Sequence, residues 1–285
     1  KELLEEIQNN FIKNEVSNFF MVQVKEYLNR VSDINDSLLN KMTEPKEIEN
    51  KLSLCYDFVV QRGDELESRV NNKAYIKKIK HTFRKLNNSW INRSLITKHA
   101  LEKPKGYPGD YELLEIIYNN MPISEGLGLY YDRILLANEY AVGVRERKNR
   151  MKCILEEFIT SNSKKKLNIL NLACGSSREL RELFINEGFR TDKELSFVCV
   201  DWDEEALKFS KEQLNNLPKN LSFIFLKKDI IELSLNSKQS DFIAEFDLVY
   251  NIGLADYLPD RVLKKFHSLG QIQKGIFDES FFTGC

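Results

Sequence analysis

At 285 residues the chain is long enough for two compact domains, and 42 Lys and Arg against 43 Asp and Glu leave it almost without net charge. That balance excludes a basic nucleic-acid footprint, and the Lys164-Lys165-Lys166 run reads as a solvated loop before a strand. No apolar run approaches the ~20 residues that a membrane span requires, and the opening KELLEEIQNN is an acidic helix rather than a signal peptide, so a cytoplasmic location is the expectation.

In chain order, apolar residues from Leu3 to Val31 recur at three- and four-residue steps, which predicts amphipathic helix. A second start lies at TEPKE: Thr43 can cap, Pro45 is tolerated in the first turn, and Glu47 favours the positive end of the dipole. Ile48, Leu52, Cys55, Tyr56, Val59 and Val60 continue the stripe, which Gly63 is expected to interrupt or end. Further helix is predicted around 70–86 and 127–160, so residues 1–160 read as an α-helical N-terminal domain, a cap or substrate domain. One island, HALEKPKGYPGDYELLEIIYNN, breaks this texture: Pro104, Gly106, Pro108 and Gly109 force a turn-rich loop, and Asp110 is placed to cap the helix that follows. Either it is a plain connector, or it is a functional loop gathering His99, Tyr107 and Tyr111.

Residues 161–285 alternate strand and helix: LNILNLA, SRELRELFINEG, LSFVCVD, DEEALKFSKEQLNNL, LSFIFLKKD and EFDLVYNIG. This alternation predicts an α/β, Rossmann-like doubly wound domain of parallel strands, with ligands beyond the carboxyl ends of the strands. The chemically suggestive residues fall at such ends: Asn171 to Ser177, Asp201 to Asp203, Asp229, and Asn251 to Tyr257. Asp201 lies 26 residues after Gly175, where a carboxylate can accept hydrogen bonds from both ribose hydroxyls of a nucleoside, and Asp229 could reach an adenine amino group. A pyrophosphate would need several glycines in the turn, and Ala173-Cys174-Gly175-Ser176-Ser177 has one. Five cysteines without a Cys-x-x-Cys pair and three scattered histidines predict neither a disulfide framework nor a metal site.

Together, ILNLACGSSREL, FVCVDWDEEAL, FLKKDI and FDLVYNIGLADYLPDRV resemble the successive motifs of class I S-adenosylmethionine-dependent methyltransferases. More narrowly, LEKPKGYPGDYELLEIIY, AVGVRERKNRM and GLADYLPDRV are similar to the bacterial subgroup that makes the methyl ester of 3-hydroxypalmitic acid, and the likeness covers about residues 99–266. The resemblance implies S-adenosyl-L-methionine as cofactor, with Asn171, Ala173, Cys174 and Gly175 against its methionine part, Asp201 on the ribose, Trp202 beside the adenine, Asp229 on the adenine amino group, and Asn251 nearby. Two positions depart from the pattern: Asn171 stands where many such enzymes carry Asp or Glu, and Ala173 replaces the first glycine.

The implied acceptor is a small fatty or hydroxy-fatty carboxylic acid, which is already ionised and needs a counter-charge rather than a base. Arg133, Arg145 or Arg147 could provide it, the plainer reading being surface arginines paired with Glu139 or Glu146. A hydroxyl acceptor would call on His99, Tyr107, Asp256 or Tyr257 as base. Tyr107, Asp256 and Tyr257 are the expected catalytic group; His99, Tyr111, Arg133, Arg145 and Gly253 the expected acceptor contacts; and the segment from Gly106 to Asp110 a lid. Class I domains continue through three more strands after the fourth, whereas 28 residues follow Tyr257, so the sheet is expected to be incomplete. Two other readings stand beside the leading one: a catalytically impaired binding or interaction protein, and a methyltransferase acting on a protein or polyketide-like acceptor.

Overall fold

The structure is a computed structural model that describes residues 2–215, 217–229 and 245–253. Its helices are α1 (Glu2–Glu6), α2 (Asn10–Asn18), α3 (Lys25–Leu39), α4 (Pro45–Val70), α5 (Lys73–Ile91), α6 (Leu95–Glu102), α7 (Tyr111–Asn119), α8 (Leu127–Ala137), α9 (Glu139–Ser161), α10 (Arg178–Arg181) and α11 (Glu204–Gln213). Its strands are β1 (Lys166–Leu172), β2 (Glu194–Asp201), β3 (Leu221–Lys227) and β4 (Leu248–Tyr250). Two compact units divide the chain. One holds the residues up to Pro108 together with Asn120–Asn138; the other holds Gly109–Asn119 and the described residues from Glu139 onward.

The first unit is helical, as the periodicity predicts. Tyr27, Val31 and Ile34 of α3 pack on Ile48, Leu52, Cys55 and Val59 of α4 and on Tyr130 and Tyr131 of α8. A second cluster joins Val16, Phe19 and Val24 to Leu66, Val70 and Ile79. The long first stripe is divided by a break at residues 7–9 and by a π-helical stretch, Phe19–Val24. Three local expectations are corrected. Glu44, extended and without a side-chain cap bond, occupies the position expected of Thr43, with Pro45 opening the helix. Gly63 neither ends nor breaks α4: a Cβ there would meet nothing within 4 Å, and its ~1 kcal/mol propensity cost is small beside the stripe that flanks it. Asn138, extended, divides the predicted 127–160 helix into α8 and α9.

Polar groups of this unit converge on Asp132, which is fully buried. Its carboxylate accepts the Ser94 hydroxyl at 2.6 Å and the backbone N–H groups of Ile123 and Ser124 at 2.9 and 2.8 Å. Ser94 Oγ in turn accepts from Thr97 N–H and caps α6. Beside this knot, Gly128 is pressed against the chain so closely that a Cβ would lie 2.0 Å from the Arg93 carbonyl oxygen.

The second unit carries the α/β layer. Its four described strands are all parallel in the order β3-β2-β1-β4. From Ile169 onward β1 is buried on both faces, which is why it reads as an apolar run and not an alternation. Met151, Leu155 and Ile159 of α9 join Leu167, Ile169, Phe184, Phe197 and Leu248 in one core. The sheet unit thus takes in α7 and α9, more of the chain than the span from 161 that the sequence indicates. The expectation that the sheet stops after its fourth strand falls on residues outside those described.

Candidate functional site

Strand order places the site. After β1 the chain builds β2 and β3 on one side and then β4 on the other, so the β1–β4 boundary is a topological switch point, where open α/β sheets bind ligands. Asn171 pairs with Tyr250 across that boundary. Beyond β1 the backbone enters the left-handed region at every second residue: φ is 52° at Ala173, 50° at Gly175 and 47° at Ser177. For two non-glycine residues this costs free energy, and hydrogen bonds hold it in place. Cys174 N–H donates to the Val200 carbonyl at 3.0 Å, Ser177 N–H to the Cys174 carbonyl at 2.8 Å, and the Ser210 hydroxyl to the Gly175 carbonyl at 2.8 Å.

Asp201 stitches this turn to the next. Its two oxygens accept Gly175 N–H at 2.8 Å and Asp203 N–H at 2.9 Å, while Asp203 caps α11 by accepting from Glu205 and Ala206. Burial pushes the Asp201 carboxyl above its ordinary value, opposed by those backbone bonds. Each carboxylate oxygen has a second lone pair, so holding the turn does not exhaust its capacity as an acceptor. Trp202, next in the chain, is 55% exposed, an unusual position for so large an aromatic surface. Cys174 is buried, and its thiol is held protonated by a bond with the Cys199 thiol and by burial, which marks it as a packing residue rather than a nucleophile.

Glu179, on the helix after the turn, was not singled out from sequence. It is 3% exposed, and one of its oxygens accepts both Asn171 Nδ2 at 2.9 Å and the Tyr250 hydroxyl at 2.8 Å, tying together the ends of β1 and β4. Burial raises this carboxyl to about 7 against the hydrogen bonds from Tyr250, its own amide and Asn171. The signal for it is its register: with Leu180, Leu183 and Phe184 facing the core, position 179 lies on the same helical face.

Helix α7 lies over the turn within the same unit. Glu115 accepts the Ser176 hydroxyl at 2.6 Å, Arg178 Nη1 at 2.8 Å and Arg181 Nη2 at 2.6 Å. Asp110 caps the helix by accepting Leu113 N–H at 3.0 Å. The Tyr111 ring packs 5.4 Å from that of Phe209, and its Cβ is the nearest atom, at 4.0 Å, to where a side chain on Gly175 would begin. Behind the latch, burial would raise Glu182, but hydrogen bonds from Lys148, Arg178 and Lys152 bring it down to about 2. Such a network holds α10 against α9 and α7.

Past β4, Gly253 adopts φ +83° with the Arg147 guanidinium packed on it: a Cβ would lie 3.4 Å from Nη1. This explains the glycine, and it brings Arg147 of α9 to the end of β4.

The structure therefore gathers Asn171, Ala173, Cys174, Gly175, Asp201, Trp202, Tyr111, Asn251 and Gly253 in the sheet unit, at strand ends or, for Tyr111, beside the turn. Asp229 is exposed two residues beyond β3, and Arg145 lies on α9. His99, Tyr107 and Arg133 belong to the helical unit, where Arg133 pairs with Glu49 at 2.7 Å. The segment from Gly106 to Asp110 crosses from one unit to the other. Asp256 and Tyr257 lie outside the described residues.

No family model matches the chain, and no curated protein matches it. Among solved structures, it is similar to a possible exported protein from Bordetella parapertussis, with 15% identity and a TM-score of 0.44, over 87% of this chain and 66% of that one. It thus spans just under two thirds of that structure's length. It is also similar to a "putative class i s-adenosylmethionine-dependent methyltransferase" from Listeria monocytogenes, with 14% identity and a TM-score of 0.32, over 92% of this chain and 75% of that one. No helix among the described residues is long and apolar enough to cross a membrane.

Proposed function

We propose that the chain binds S-adenosylmethionine at the turn after β1 and transfers its methyl group to a small carboxylic acid of fatty or hydroxy-fatty type. The observation that carries this reading is the single-glycine turn at the β1–β4 switch point, anchored by buried Asp201 and followed by exposed Trp202. The donor set fits a nucleoside with an amino-acid tail. Asp201 keeps acceptor capacity for ribose hydroxyls, Trp202 offers a flat face for adenine, Asn171 and Asn251 border the strand ends, and Gly175 leaves the turn without a side chain of its own. One glycine does not allow the backbone approach that a pyrophosphate needs. The four ordered motifs in the sequence support the same reading.

When bound, the cofactor supplies a methyl group made electrophilic by the adjoining sulfonium. The chain's own contribution is position and charge. No side-chain nucleophile or base is needed for an acceptor that is already a carboxylate, but that anion needs a partner in a water-poor site. Arg147, held over Gly253 at the end of β4, is the arginine whose position beside the strand ends supports a bidentate contact, whereas Arg133 lies in the helical unit.

Titration calorimetry with S-adenosylmethionine tests the cofactor. The intact protein is expected to bind, and Trp202→Ala to bind about tenfold more weakly, in line with ~1–3 kcal/mol for stacking of a base on an aromatic ring. Absence of heat and of thermal stabilisation at millimolar cofactor would remove the proposal. The acceptor is tested by methyl transfer to a series of acids. Arg147→Ala is expected to raise the acceptor KM at least about tenfold and leave cofactor affinity unchanged, with Arg147→Lys recovering part of the loss. An unchanged KM would exclude Arg147 as the counter-charge.

A further inference from the structure

We infer that Glu179 is a positioning residue: it fixes the amide of Asn171 so that the nitrogen faces the protein and the oxygen faces the opposite way, as an acceptor for a cationic ligand group, the ammonium of an amino-acid tail. The inference rests on the nucleoside reading above and goes beyond it.

An ionised Glu179 accepts and never donates, so its bond with Asn171 must use Nδ2, as the 2.9 Å contact does. A planar amide with its nitrogen committed turns Oδ1 away from that partner. Tyr250 donates to the same Glu179 oxygen at 2.8 Å, so the carboxylate is held from β4 as well as from β1. The result is a negative pole one side chain behind Asn171, which polarises its amide so that Oδ1 is a better acceptor. An aspartate at 171 would not add to this, because two carboxylates in buried contact share a proton rather than both ionising.

The arrangement responds to protonation. Glu179 is buried to a degree that brings its titration to about 7. A protonated Glu179 has a hydroxyl to donate, and the Asn171 amide is then no longer confined to one orientation. The groups that face Glu179 are Tyr250 of β4, Asn171 of β1, Tyr118 of α7 and Glu182 on the helical stretch that continues α10. Burial pushes both tyrosines above their ordinary range, so they stay protonated throughout, and Arg147 stands beside Tyr118. Cys199 and Cys174 flank Tyr250. Glu182 remains ionised, because its titration lies near 2. Glu179 is thus the group of this cluster that changes charge between pH 5.5 and 7.5.

Two readouts test this. In the ligand-free protein, the ¹⁵N side-chain amide signals of Asn171 are followed from pH 5.5 to 8.5. They are expected to titrate with a midpoint near 7 in the parent, to be flat in Glu179→Gln, and to shift to a higher midpoint in Tyr250→Phe, which removes one donor to the carboxylate. Flat signals in the parent overturn the inference whatever the ligand. Binding is then measured with S-adenosylhomocysteine, which carries the ammonium, and with 5′-methylthioadenosine, which lacks the amino-acid tail. Between pH 5.5 and 7.5 the parent's affinity for S-adenosylhomocysteine is expected to rise about tenfold, while that for methylthioadenosine stays level, and Glu179→Gln is expected to lose the rise. Equal changes for both ligands would reduce Glu179 to a packing role and overturn the inference. If the parent binds neither ligand at any pH, the nucleoside reading fails, and the Asn171 titration still decides the pairing with Glu179.

Discussion

Asp201→Ala is expected to lower the unfolding free energy by about 2–4 kcal/mol and to abolish measurable binding of S-adenosylmethionine. The cost follows from what the carboxylate holds. Asp201 is 5% exposed and accepts two backbone N–H groups, from Gly175 in the turn after β1 and from Asp203 in the turn after β2. Alanine leaves both donors without their acceptor, and such orphaned buried groups cost about 1–3 kcal/mol each. The same loss releases the left-handed backbone of Gly175 and, through it, the geometry of the proposed cofactor site. Asp201→Asn retains one acceptor and is expected to fall between parent and alanine variant. Urea unfolding with calorimetric titration of the cofactor provides the check. A variant within ~0.5 kcal/mol of the parent would show that the turns are held by something other than this side chain.

Asp132→Ala is expected to destabilise the helical unit by about 3–5 kcal/mol, the largest effect of any single polar deletion in that unit. Three donors converge on this carboxylate in full burial: the Ser94 hydroxyl and the amides of Ile123 and Ser124. Water has no ready way to replace it, because the surroundings are tight, with Gly128 admitting no side chain against Arg93 and Ser124. Losing Asp132 also loosens Ser94, whose hydroxyl caps α6, and Ser124, whose hydroxyl accepts Leu95 N–H at 2.7 Å. Asp132→Asn brings an NH₂ group toward donors and is expected to recover only part of the loss. Denaturant midpoints at constant m-value measure the effect; a shift under about 1 kcal/mol would mean that the knot is not a stabilising centre.

The parallel strands were legible because buried strands in such sheets are apolar on both faces, and Leu167 to Leu172 and Leu195 to Val200 are mostly apolar, interrupted only by Asn168, Asn171 and Ser196. Asp110 as a cap was legible for a local reason too, since a cap is written within four residues. Gly63 misled because propensity is a weak term beside a stripe of buried residues on either side. The latch on α7 could not be read at all. Glu115 finds its partners at 176, 178 and 181, and nothing in the local pattern of ELLEIIY distinguishes an acid that ends in an ion network from one left in solvent. The burial of Glu179 could be read from its helical register, but its partners could not, for they meet it only once β1 and β4 lie side by side. The fold sets against Asn171 an acid eight positions later, a partner that no linear motif would align.

The chain passes between its two units three times, at 108/109, 119/120 and 138/139. Neither unit is therefore a contiguous stretch, and the molecule is threaded rather than fused end to end. A protease that nicks one crossing leaves two covalent links intact. No single truncation yields the sheet unit with α7 and free of the helical unit, because residues 120–138 of the helical unit lie between α7 and α9 in the chain. The segment 109–119 is therefore bounded at both ends by chain of the helical unit, so Glu115 meets Ser176, Arg178 and Arg181 from a stretch that interrupts the other unit's sequence.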